Sequence, residues 1–125
     1  MKRLIFAAAL VALPGVAAAQ SMNAERFWQR ATALKAKGPL ALLEQGEIQA
    51  LITEAKAAGK RADGQRLAAI KARKKPRYCP PDANRSMNSD EFLQRLSAIP
   101  GRDRKRITMT EATTRIAAQK FPCRR

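Results

Sequence analysis

The chain has 125 residues, about one domain by length, with 25 Lys and Arg against 10 Asp and Glu, no His and two Cys. A formal charge of +15 favours acidic partners and says nothing about fold. Without His, the commonest general base and the usual imidazole metal ligand are both missing, which turns the reading away from acid–base catalysis and metal chemistry.

Met1-Lys2-Arg3 is a short basic start, Leu4 to Val11 an apolar run, Leu13-Pro14-Gly15 a break, and Ala17-Ala18-Ala19 a small-residue cleavage pattern. The apolar run falls short of the roughly 20 residues a membrane span requires. Residues 1–19 are therefore predicted to be a cleaved secretory signal of bacterial type. Residues 20–125 are then a soluble periplasmic domain.

Asn23 is a good N-cap for the first helix, and Glu25 suits its positively polarised first turn. Phe27, Ala31 and Leu34 fall on one apolar face, and Gly38-Pro39 stops the helix. Trp28 adjoins Phe27, so either the helix buries a broad face or Trp28 is an exposed anchor for a partner. Pro39 can open a second helix through Leu40, Leu42 and Leu43, with a break or kink expected at Gly46. Ile48, Leu51, Ile52 and Ala55 give the next segment an apolar face, and Gly59 suits its C′ position. Asp63-Gly64 marks a turn or joint before Leu67 and Ile70, so 47–72 reads as one bent helix or as two.

Lys71 to Arg77 is a basic run, and Tyr78-Cys79-Pro80-Pro81 follows, making a proline-rich corner at 76–82 that cannot continue a helix. Asn88 or Ser89 caps the next helix, which holds Phe92, Leu93 and Leu96 and ends at Pro100-Gly101. Arg102 to Arg106 reads as a charged loop. Thr108-Met109-Thr110-Glu111 is a capping box opening the last helix, with Met109, Ala112 and Ile116 facing inward. Pro122 and Cys123 close it. Ser21-Met22-Asn23 with Phe27 repeats as Ser86-Met87-Asn88 with Phe92. With Asn as cap, Met falls at N′ and Phe at N4, the spacing of a hydrophobic staple. No segment alternates with period two. The chain is predicted to be all-α, a single domain of four to five helices.

An even Cys count in an exported chain reads as one disulfide, Cys79 to Cys123. A metal pair or a redox thiol has less behind it, with no His and no C-x-x-C. The carboxylates show no convergent spacing, and several sit at helix starts, where negative charge is favourable in any case. No phosphate loop, metal cluster or dinucleotide fingerprint is present, so no enzyme, metal or cofactor is predicted.

Lys71, Arg73, Lys74, Lys75 and Arg77 form one candidate docking surface, and Arg102, Arg104 and Arg106 a second, with Trp28 as a candidate anchor. An acidic protein is the first candidate partner, and an anionic lipid or polysaccharide the second. Nucleic acid is disfavoured, since Tyr78 alone would supply a stacking platform.

From Tyr78 onward the order of features, with Tyr78-Cys79-Pro80-Pro81 at its start and Phe121-Pro122-Cys123 at its end, resembles the small periplasmic immunity proteins of the Rap/Tai type. These helical proteins protect bacteria from peptidoglycan amidase effectors delivered by type VI secretion. The resemblance covers residues 78–123. It implies an all-α dimer with Cys79 and Cys123 as structural cysteines, which inhibits by binding an effector and occluding its active site. Family members often carry further cysteines in their first half, where this chain has none.

Overall fold

The computed structural model describes residues 21–124; the leader expected at 1–19 lies outside them. The chain forms α1 (Ala24–Ala36), a 3₁₀ segment (Gly38–Leu43), α2 (Gln45–Lys71), α3 (Ser89–Ala98), α4 (Gly101–Arg104) and α5 (Met109–Lys120). The described residues contain no strand beyond a single bridge between Asn23 and Thr108. The protein is all-α.

Each predicted cap forms. The Asn23 side chain accepts from the Arg26 N–H at 3.1 Å, Asn88 from Glu91 at 2.8 Å and Thr108 from Glu111 at 3.2 Å. The capping box at Thr108 is half used, because the Glu111 carboxylate is taken by Arg77 and Arg115. The two repeated phrases converge. Phe27 and Phe92 meet edge to face, ring centres 6.2 Å apart, and Met22 and Met87 pack on the same core. Gly38 takes φ +55° just past α1, a left-handed turn that glycine adopts without steric penalty.

The starts of α1 and α5 are laced together. Ala24 N–H donates to the Ile107 carbonyl at 3.0 Å, and Met109 N–H to the Met22 carbonyl at 2.6 Å. Glu54 of α2 reaches this joint, accepting from Met22 N–H at 2.8 Å and from Arg61 at 3.2 Å. Arg61 also donates to Thr110 at 2.9 Å. Leu96, Met109 and Ile116 are the largest fully buried side chains, so the core lies where α3 and α5 meet α1.

Two expectations about connections are corrected. The break expected at Gly46 and the helix end expected at Gly59 do not occur, and of the two readings of 47–72 the single helix holds: α2 is one continuous helix of 27 residues. Burial of Ala58 and Ala62, with α5 as the main partner of α2, outweighs the roughly 1 kcal/mol that each interior glycine costs. Arg102 to Arg106 is not simply a loop either, because Gly101–Arg104 closes a short helix that folds Arg104 back into the protein.

The disulfide forms between Cys79 and Cys123, Cα atoms 4.9 Å apart, and Cys79 N–H donates to the Phe121 carbonyl at 2.8 Å beside it. It ties the proline corner to the end of the chain beyond α5. A closed loop of sequence separation 44 restricts the unfolded chain by about 4 kcal/mol in the loop-entropy picture.

Candidate functional site

α2 and α3 diverge over the layer formed by α1 and α5, leaving an open, mainly apolar groove of about 760 Å³ between them. Phe27, Ala31, Leu51 and Ile116 form its floor, Ile48, Ile52, Ala55 and Gly59 one wall, and Phe92 and Leu93 the other. By the 3.6-residue period, Ile48, Ile52, Ala55, Gly59 and Ile70 lie along one stripe of α2. Ile52 remains 41% exposed and Ile70 48%. Residues read in the sequence as core-facing thus divide: Leu51 is buried at the groove floor, while Ile48 and Ile52 stand on its wall and stay partly exposed. The 3₁₀ segment adds Leu40, Leu42 and Leu43, all well exposed, beside Ala41 on the groove wall. On the α5 side Thr113 Oγ1 is shielded from solvent and has no hydrogen-bond partner among the described residues.

Charge is distributed unevenly. All 10 Asp and Glu of the sequence form ion pairs within the fold. Several of these pairs join separate elements. Arg30 grips Glu47 at 2.7 and 2.8 Å between α1 and α2, and Lys120 holds Glu91 at 2.9 and 3.0 Å between α5 and α3. Hydrogen bonds from these cations hold the Glu47 and Glu91 carboxyls below the usual carboxylate range, and Arg77 does the same for Glu111.

Of the cations in no ion pair among the described residues, Arg26, Lys105, Arg106 and Arg124 are scattered, and the rest concentrate on α2 and the segment after it. Lys56, Lys60, Lys71, Arg73, Lys74 and Lys75 are exposed, and among the described residues none has a carboxylate within 4.0 Å. Lys56 sits on the groove rim, and Lys56, Lys60 and Lys71 share a strip alongside the apolar stripe. Tyr78 links the groove to the basic segment. It lines both the groove and a smaller cavity of about 120 Å³ whose wall includes Lys75 and Arg77. Burial pushes its phenol above the ordinary tyrosine value.

Arg73 has φ 57°, in the left-handed region. Lys74 N–H donates to the Ala69 carbonyl at 2.8 Å and Arg73 N–H to Ile70 at 3.0 Å, the two bonds of a Schellman helix end. Arginine occupies the position that glycine fills most easily, with its side chain left in solvent.

The candidate residues from the sequence therefore divide. Lys71, Arg73, Lys74 and Lys75 are brought together and unpaired. Arg77 is committed to Glu111 through two bonds of 2.5 and 2.8 Å. Arg102 reaches Asp103 at 4.0 Å and Arg106 is exposed, both on or just after α4, which packs on α1. Arg104 is not a docking residue. It is 7% exposed, donates to Glu25 at 2.7 Å and to the Ser97 and Ile99 carbonyls, and stacks on Trp28 at 4.1 Å. Trp28 also turns inward, its indole N–H donating to Ser97 at 2.8 Å, so it braces α1 against α3 and is no free anchor.

The groove was missed in the sequence. Its only trace there is the surplus of apolar residues on Ile48 to Ile52 and Leu40 to Leu43, more than one narrow helix face can bury. Among the described residues no three His, Cys, Asp or Glu gather to hold a metal ion, and no helix is long and apolar enough to cross a membrane. No family model, curated protein or solved structure matches the chain.

Proposed function

We propose that the protein acts by binding: an exported, immunity-like inhibitor that docks on an acidic cell-wall-degrading effector in the periplasm and covers its active site. The observation that carries this reading is the charge distribution. Every carboxylate is already paired, several of them across elements, and most of the exposed cations left without a carboxylate among the described residues collect on α2 and the segment after it. Such a surface raises the encounter rate with an acidic protein and selects against basic ones. The order of features from Tyr78 to Cys123, which resembles the Rap/Tai-type immunity proteins, supports the choice of partner class. It is joined into one unit here by the Cys79–Cys123 bond.

The test is affinity capture of the tagged protein from periplasm, with mass spectrometry of what co-elutes. One protein in fixed ratio, whose hydrolysis of peptidoglycan stops on addition of the inhibitor, is the expected result. Recovery of anionic lipid or polysaccharide alone, released steeply by salt, would instead identify a cationic binder of envelope polymers.

A further inference from the structure

We infer that the groove between α2 and α3 receives an amphipathic helix from the acidic partner, one with an apolar stripe flanked by Asp and Glu. The inference rests on the reading that the partner is an acidic protein, and it names the contact surface.

Three features favour this occupant. The α2 wall, from Ile48 to Gly59, is a stripe at helical spacing, with the small residues Ala55 and Gly59 admitting close approach by another backbone. Its rim is cationic. Lys56 and, beside it, Lys60 have no carboxylate of their own, while the rim acids Asp63 and Asp90 are already held by Arg66 and Lys35. The groove is also open to solvent on one side. A helix can bury one face there and keep its polar back in water, the helix-in-groove mode of recognition. A bare acyl chain would leave one side wet. A second copy of this chain would bring a second surplus of lysines against Lys56 and Lys60.

The test uses the purified protein and two synthetic helical peptides of about four turns, roughly 15 residues. They share one Leu/Ala stripe; one has Glu on its flanks and the other Lys. Binding is read by fluorescence anisotropy, and its location by backbone amide NMR shifts.

The Glu peptide is expected to bind at least about tenfold more tightly than the Lys peptide, with shifts at Ile52, Gly59 and Leu93. Gly59→Leu projects a side chain into the groove from a position where an added Cβ meets nothing within 4 Å, and an unchanged melting temperature is the check that the fold is kept. It should weaken the Glu peptide about tenfold, and Lys56→Glu with Lys60→Glu should abolish the preference between peptides. Equal affinity for the two peptides, shifts confined to other surfaces, displacement of the Glu peptide by palmitate, or a dimer in sedimentation that Gly59→Leu dissolves would each overturn the inference. With the captured partner, a complex that survives Gly59→Leu discards the groove and leaves the binding reading standing. Failure to find any protein partner discards the reading itself.

Discussion

Arg104 and Arg73 are two arginines of one basic protein with opposite roles. Arg104 is enclosed, with Glu25 at 2.7 Å and Trp28 against its plane. Removing its charge strands a carboxylate that is nearly out of water, so Arg104→Ala is expected to lower unfolding free energy by about 3 kcal/mol in denaturant titration. Lys74→Ala, at an exposed unpaired site, should stay within about 0.5 kcal/mol of the wild type. A similar loss in both would contradict the buried role. Arg73 holds a left-handed φ of 57°. Arg73→Gly relieves that conformation and should stabilise by about 1 kcal/mol while weakening partner binding. A variant that is more stable and binds equally well would remove Arg73 from the docking surface. In the sequence, Arg104 looks like any member of an exposed charge run, because its burial depends on a four-residue helix turning it under α1.

Local signals carried well at the scale of elements. Asn23, Asn88 and Thr108 were readable as caps because a cap depends on residues within one turn, and all three make the bond expected of them. Gly38-Pro39 likewise ends α1 as its chemistry dictates. The sequence left open whether α2 is one helix or two, since what carries it through Gly59 and Gly64 is the packing of Ala58 and Ala62, which are buried only once α5 is in place. The groove was illegible for a related reason. Which stripe of α2 stays uncovered depends on how far α3 splays from it, and no local pattern encodes that distance. Gly59 and Gly64 meet nothing within 4 Å of an added Cβ. Gly59→Ala should accordingly raise stability by about 0.8–1 kcal/mol in thermal or denaturant melts. A loss would show that α2 uses the glycine for a bend.

For the whole molecule, acids serve the fold and surplus cations serve the surface. Glu47, Glu91 and Glu111 titrate below their ordinary range because cations hydrogen-bond to them. Their depressed folded values mean the stability they contribute is present above the unfolded glutamate pKa of about 4.3 and is lost as pH falls through the lower folded values. The melting temperature is therefore expected to drop on acidification from about pH 5 to pH 3, and Glu111→Gln should lessen that drop. A melting temperature flat over that window would argue that the inter-element pairs do not hold the elements together. The Cys79–Cys123 bond is the covalent counterpart of these pairs, and reducing it should cost about 4 kcal/mol in the loop-entropy picture.

The claim that the unpaired cations are a docking surface for an acidic protein is tested most directly by calorimetric titration of the captured partner. Wild type is to be compared with a Lys71→Glu, Lys74→Glu, Lys75→Glu variant of unchanged melting temperature. Reversing three interfacial charges should weaken binding by at least about a hundredfold and invert its salt dependence. Equal affinity in the two proteins, with the same response to salt, would contradict it.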